Sequence, residues 1–153
     1  MRHKLLLASA LTCALSSIVQ AAPLVVNEPW IRAMPSNSRV IPIFFGLENI
    51  TSSERVLVAM YSPAGEVEIH ETVPVDGMMK MQPIMALPIA AGQKVMLKPG
   101  GYHGMMSSFT HGVPAEGETV AVTLVYANGE EQQIHVKVIR RAKTKTMQMP
   151  ATN

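Results

Sequence analysis

Two consecutive segments near the end of the chain alternate apolar with polar side chains, and an Asn-Gly pair separates them. The first segment presents one apolar face, made by Val120, Val122, Leu124 and Tyr126. The second presents another, made by Ile134, Val136 and Val138. Alternation with a period of two is typical of a half-buried strand, and Asn128-Gly129 is the strongest short-range signal for a β-hairpin. These segments therefore predict an antiparallel hairpin that buries one face.

The same extended pattern recurs upstream, between turn signals rich in Pro and Gly. Strands are predicted over residues 24–33, 40–50, 55–61, 66–73, 80–89 and 93–97. Within 66–73, Val67 and Ile69 share one face, whereas Glu66, Glu68 and His70 share the other. No segment has helical periodicity, and the 11 prolines spread along the chain oppose helices. The sequence therefore predicts an all-β, antiparallel sandwich or Greek-key barrel.

The first 21 residues have the organisation of a secretory signal peptide. A basic start at residues 2–4 precedes an apolar run over residues 5–19, and small or modest residues then lead to Ala21. The run of about 15 apolar residues is shorter than the roughly 20 that a membrane span needs. We expect cleavage after Ala21 and a secreted protein. A lipid anchor on Cys13 is a weaker alternative, because no small residue precedes that cysteine.

Cleavage after Ala21 would leave one domain over residues 22–140, followed by a polar tail over residues 141–153 that we expect to be flexible. The mature chain would carry 11 basic and 11 acidic side chains and no cysteine, because Cys13 is the only one. The lack of cysteine excludes disulfides, thiol chemistry and thiolate metal sites from the mature chain. Its low charge argues against a nucleic-acid partner.

Methionine is unusually frequent, with 12 residues in the chain. Seven lie close together, namely Met78, Met79, Met81, Met85, Met96, Met105 and Met106. Apolar strand contexts predict that three methionines fill gaps in the core, namely Met60, Met85 and Met96. The others in the cluster follow Gly-containing turns and are expected in loops, where apolar side chains need a functional reason.

His70 and His103 flank or lie within this methionine cluster. Thioether sulfur is a soft, neutral ligand that suits Cu(I), and imidazole is a firmer donor that also accepts Cu(II). Such a mixed site can hold Cu(I) and still release it to a better site. The composition of the cluster therefore indicates a copper carrier.

Four of these residues resemble a known signature. His70, Met81, His103 and Met105 match the H-x10-M-x21-H-x-M motif of the periplasmic copper chaperones called PCuAC. Flanking segments resemble the family as well, namely Trp30-Ile31-Arg32-Ala33, Ser62-Pro63-Ala64, Val67-Glu68-Ile69-His70-Glu71 and Leu97-Lys98-Pro99-Gly100-Gly101-Tyr102-His103. The resemblance extends over roughly residues 27–140. It implies a cupredoxin-like β-barrel and copper ligands at those four positions, which we expect in turns at one end of the barrel.

The resemblance also implies a role for the bound metal. Members of the family carry Cu(I) for assembly of the CuA centre of cytochrome c oxidase, with CuB as a further acceptor, so subunit II and a Sco-type protein are the expected partners. A second site formed by Met147 and Met149 of the tail is a weaker expectation, because relatives with such a site have histidine there. Met79 and Met106 are neighbours that could replace a ligand, whereas His111 and His135 are expected to be solvated.

Other functions explain the sequence less well. A blue-copper electron carrier needs a cysteine thiolate, and zinc prefers more His or carboxylate ligands than this pattern offers. No catalytic triad, phosphate-binding glycine loop or paired carboxylates stand out, so an enzyme is not expected. The alternative that stays open is a secreted immunoglobulin-like interaction domain, whose methionines form an apolar surface without a metal.

Overall fold

The computed structural model describes residues 24–140, so the predicted signal peptide and the tail lie outside the described part of the chain. Within that part the chain forms strands and no helix, which confirms the all-β prediction. The strands are β1 (Val25–Arg32), β2 (Val40–Glu48), β3 (Arg55–Tyr61), β4 (Glu66–Val75), β5 (Met78–Pro83), β6 (Leu87–Ile89), β7 (Lys94–Leu97), β8 (His103–Ser107), β9 (Thr119–Tyr126) and β10 (Glu131–Ile139). None of the described residues belongs to a helix with the length and apolar character needed to cross a bilayer.

The strands hydrogen-bond in the order β5-β4-β8-β2-β1-β10-β9-β3-β6, and β7 pairs with β2. β1 and β10 run parallel, whereas the other described pairs are antiparallel. β3 and β4 stand near opposite ends of this order, yet a short turn over residues 62–65 joins them. The two ends of the sheet therefore curl towards each other around a common core.

One face of each long strand lines that core. The apolar faces of β9 and β10 are buried, as the alternation predicts. The two strands pair antiparallel, with Glu131 opposite Val125 at one end and Lys137 opposite Thr119 at the other, which confirms the predicted hairpin. Met60 of β3 packs against β8, where a Cβ atom added to Gly104 would lie 2.9 Å from the Met60 methyl group and 3.1 Å from the Ile43 Cβ atom. Because native interiors are close-packed, only glycine fits at position 104 without a shift of its neighbours.

The expected loop positions of five methionines are wrong. Met78, Met79 and Met81 lie on β5, because Asp76 and Gly77 both have positive φ angles, 51° and 77°. Two consecutive positive φ angles are typical of the two-residue hairpin turn that matches strand twist, so β5 begins at the very next residue.

Met105 and Met106 lie on β8, which begins at His103, shortly after the Gly-Gly turn.

Of the three methionines that were predicted to fill gaps in the core, one is buried and two are exposed. Met60 is fully buried as predicted, whereas the predictions for Met85 and Met96 are wrong, since these residues are 87% and 42% exposed. Met85 lies between β5 and β6, and Met96 points outward from β7.

Candidate metal centre

The two histidines predicted as ligands face each other on neighbouring strands. His70 of β4 is directly opposite His103 of β8 in the antiparallel register, so both side chains lie on the same face of the sheet. Their ring centroids are 5.8 Å apart. Alternation in β4 predicts that this face is the polar one. Ile69, the residue before His70, points into the core, so His70 lies on the opposite face.

The two methionines predicted as ligands lie diagonally from this histidine pair. Met81 of β5 is opposite Thr72, two residues beyond His70, and Met105 of β8 is opposite Glu68, two residues before it. Diagonal neighbours of this kind lie about 7–8 Å apart at the backbone, within reach of long side chains. The structure thus brings all four predicted residues onto one face. The prediction that they lie in turns at one end of the barrel is wrong, since all four are strand residues, and for His70 and Met81 this agrees with the strands predicted over 66–73 and 80–89.

Each imidazole has one nitrogen with a hydrogen-bond acceptor. Nε2 of His70 donates to Oε2 of Glu68 at 2.9 Å, and Nδ1 of His103 donates to the carbonyl oxygen of Gly101 at 3.0 Å. These directions follow because a carboxylate and a carbonyl only accept. The other nitrogens, Nδ1 of His70 and Nε2 of His103, are buried without a hydrogen-bond partner among the described residues.

An orphaned buried nitrogen requires an explanation, because buried polar atoms are nearly always paired. With its proton fixed on the other nitrogen, each neutral ring presents a lone pair at the orphaned position. A lone pair of this kind is what a metal ion needs from imidazole. The pairing of the far nitrogen with an oxygen is also the usual way in which proteins orient metal-binding histidines.

A cavity of about 240 Å³ lies beside His103, and three of the four predicted ligands contribute to its wall, namely Met81, His103 and Met105. Other residues of the wall are aromatic and cationic. The ring centroid of Phe44 lies 6.4 Å from that of His103, and the Arg32 guanidinium stands 5.6 Å from the Phe44 centroid. His103 is only 3% exposed as a result, which makes it one of the few polar side chains in the buried part of the molecule.

Four further residues line the cavity that no sequence motif singles out as functional, namely Arg32, Met34, Pro42 and Phe44. A signal for this was present in β2. Ile41, Ile43 and Phe45 form its core face, and Pro42 and Phe44 make the alternate face apolar too. A strand that is apolar on both faces indicates that both are covered, so the second face of β2 is the wall of the site.

The other candidate ligands differ from one another in burial and in the face on which they lie. Met106 is fully buried on the core face of β8, so it cannot replace Met105 as a ligand. Met79 lies two residues from Met81 on the same face of β5 and is 62% exposed. His111 and His135 are exposed, as predicted. In the range 24–140 no three His, Cys, Asp or Glu side chains converge as a possible metal-binding group.

The fold is similar to that of solved PCuAC domains. The copper-bound PCuAC domain from PmoF2 is 18% identical with a TM-score of 0.65, and the match covers 80% of this chain and 97% of that one. The apo form of DR1885 from Deinococcus radiodurans is 24% identical with a TM-score of 0.61, covering 92% and 95% of the two chains. The Cu(I) form of DR1885 matches with the same identity and TM-score over 86% and 89%. These likenesses establish a PCuAC-type, cupredoxin-like β fold.

A family model covers most of the chain. The family described as "Putative lipoprotein LpqE-like" matches residues 24–138, nearly all of the described part. The chain therefore belongs to the LpqE-like family. Among curated proteins, none matches the chain.

Proposed function

We propose that this protein is an extracytoplasmic Cu(I) chaperone that binds the ion through His70, Met81, His103 and Met105. The observation that carries the proposal is the pair of buried, unpartnered imidazole nitrogens on facing histidines. Thioethers on the same face supply the soft donors that favour Cu(I) over hard cations. Cu(II) is a second oxidation state that the imidazoles can accept.

The spacing of the histidine rings fits one shared ion. Metal–nitrogen bonds to imidazole are about 2 Å long, so two rings on one ion have centroids at most about 6.4 Å apart. The separation of 5.8 Å between the His70 and His103 centroids lies within that limit. The ligand set is neutral, and a monovalent ion in a mostly apolar cavity costs less to desolvate than a divalent one.

Exposure of one side of the site supports transfer of copper rather than permanent storage. Met81 is 62% exposed on an edge strand, whereas His103 is buried at 3%. An incoming ligand from another protein can therefore approach from the Met81 side. As the acceptor we propose the CuA centre of cytochrome c oxidase, with CuB as a further acceptor, and subunit II or a Sco-type protein as the direct partner. The protein itself is proposed as a carrier and not an enzyme.

The export of the chain is part of the same proposal. We propose a signal peptide over residues 1–21, a copper-binding domain over 22–140 and a tail over 141–153, with function in the periplasm. The family description as a lipoprotein supports an extracytoplasmic location. Mass spectrometry of the exported protein tests the boundary: an N-terminus at Ala22 is expected, and a lipid on Cys13 would contradict it.

The second candidate is an immunoglobulin-like interaction domain without a metal role. The observation that favours it is a set of solvent-exposed methionines on or next to the edge strand, namely Met78, Met79, Met81 and Met85. Flexible methionines of this kind suit a surface that binds several partners. The two candidates differ in what they require of the sulfur atom in Met81.

An anaerobic Cu(I) titration in competition with a colorimetric chelator tests the proposal and separates the two candidates. We expect one tight equivalent in the wild type and an affinity at least about tenfold lower in Met81→Leu, because Leu keeps the apolar volume and removes the donor. Met79→Leu is the matched control, with the same strand, face and exposure. Equal affinity of wild type and Met81→Leu would exclude Met81 as a ligand and favour the interaction domain.

A further inference from the structure

The carboxylate of Glu68 is the acceptor that fixes the His70 ring. We propose that Glu68 is a positioning residue for copper binding, which keeps the proton of His70 on Nε2 and leaves the Nδ1 lone pair for the ion. This inference rests on the proposed function, because it concerns the orientation of one of its ligands. Glu68 itself is not a ligand in this account.

The geometry of the pair comes directly from strand alternation. Glu68 and His70 are two residues apart on β4, so they share a face, and Oε2 lies 2.9 Å from Nε2. The Glu68 side chain is 66% exposed, whereas the His70 side chain is only 14% exposed. The contact thus joins a solvent-facing carboxylate to the outer nitrogen of a mostly buried ring.

This contact determines which nitrogen of His70 is free. Since the carboxylate accepts a hydrogen bond from the Nε2–H group, the proton of the neutral ring is on Nε2 and none is on Nδ1, which is the nitrogen that is buried without a partner. Rotation of the ring by half a turn would place Nε2 on the buried side and remove this hydrogen bond. Glu68 therefore selects both the tautomer and the orientation of the ring.

His103 has the same arrangement with a different acceptor. Its Nδ1 donates to the carbonyl of Gly101, and its Nε2 is the orphaned buried nitrogen. Both rings of the pair are thus held through the nitrogen that does not face the site. For His103 the acceptor belongs to the backbone, whereas for His70 it belongs to a side chain that can be substituted. Loss of such outer partners typically weakens metal binding by about 10–100-fold.

A single hydrogen bond to a mostly exposed carboxylate adds little net folding stability, so the role of Glu68 is visible in copper binding and not in unfolding. We expect Glu68→Leu to lower Cu(I) affinity by about tenfold or more. Glu68→Gln keeps an oxygen acceptor without the charge, so it should restore most of the affinity. Glu66→Leu is the control, because Glu66 lies on the same strand and face but accepts from Ser108 instead of His70.

Nuclear magnetic resonance of the metal-free protein provides a second, copper-independent measurement. A hydrogen-bonded ring proton on Nε2 of His70 should be slow to exchange with water in the wild type and in Glu68→Gln, and fast in Glu68→Leu. The proposal is overturned if Glu68→Leu binds Cu(I) like the wild type, if Glu66→Leu loses as much, or if the ring proton is unchanged in Glu68→Leu. If the wild type binds no Cu(I), the proposed function fails, and the ring proton alone decides whether Glu68 positions His70.

Discussion

The two faces of β8 carry adjacent methionines with opposite roles. Met106 is fully buried among aliphatic side chains of the core, whereas Met105, one residue earlier, faces the cavity beside His103. The core face of β8 also requires a glycine at position 104, next to Met60 and Ile43. The cavity face of β8 instead holds His103, whose Nε2 has no hydrogen-bond partner in the described range, and Nδ1 of His70 on the neighbouring β4 has none either.

This contrast shows that methionine content alone does not identify the ligands. A thioether packed in the core contributes burial, and a thioether in a cavity beside an orphaned imidazole is available as a donor. Strand alternation separates the two groups, since residues one apart lie on opposite faces of the sheet. Substitutions on the two faces should therefore affect stability and copper binding separately.

The largest effect on stability is expected on the core face. Met106→Ala should lower the free energy of unfolding by about 2–5 kcal/mol, because it leaves a cavity in a close-packed interior. Met105→Leu should change it by less than about 1.5 kcal/mol, since it conserves volume at a half-buried position. Denaturant unfolding of the metal-free protein measures both values. A larger loss in Met105→Leu than in Met106→Ala would reverse the assignment of the two faces.

Removal of the buried imidazole should separate function from stability most sharply. His103→Leu is expected to lower Cu(I) affinity by more than about 100-fold. This loss exceeds the one that is typical when a hydrogen-bond partner of a metal ligand is removed. The free energy of unfolding should change by only about 1 kcal/mol, because the substitution also removes a buried nitrogen that has no partner. The chelator competition assay and denaturant unfolding test this pair of values. His135→Leu, at an exposed position on β10, should change neither.

A substitution in the turn between β4 and β5, the hairpin that carries Met81, should have a smaller effect on the free energy of unfolding. Gly77 has a φ angle of 77°, so Gly77→Ala should cost about 1–2 kcal/mol through the left-handed backbone. Gly101→Ala is the control: the nearest contacts of an added Cβ would be ordinary ones of 3.7 and 3.8 Å, and Gly101 is not among the positive-φ glycines. Equal loss of stability in both variants, measured by denaturant unfolding, would refute a strained turn at Gly77.

Local pattern predicted much of this fold. Alternation in β4, β9 and β10 assigned the inward and outward residues correctly, including the outward position of His70. The same pattern failed for Met85 and Met96, because apolar neighbours do not indicate which face of a short strand is covered. The sequence predicts turns at Asp76-Gly77 and Gly100-Gly101, but it does not indicate how short these turns are. The methionines after them are therefore expected in loops.

The long-range arrangement of the site was beyond the reach of local patterns. The direct pairing of His70 with His103 depends on the register between β4 and β8, which the chain between them does not encode locally. The wall formed by Arg32 and Phe44 depends in turn on β2 pairing with both β1 and β8. Spacing in the sequence therefore identified candidate ligands, and the sheet register supplied the reason why they meet.

X-ray absorption spectroscopy of the Cu(I)-loaded protein can identify the residues that hold the ion, because it counts the donor atoms around the metal. The account predicts both sulfur and nitrogen scatterers in the wild type, with loss of one sulfur in Met81→Leu and in Met105→Leu. Met79→Leu should leave the spectrum unchanged. A spectrum with nitrogen and oxygen donors only, or one that neither ligand substitution alters, would contradict a copper site made from His70, Met81, His103 and Met105.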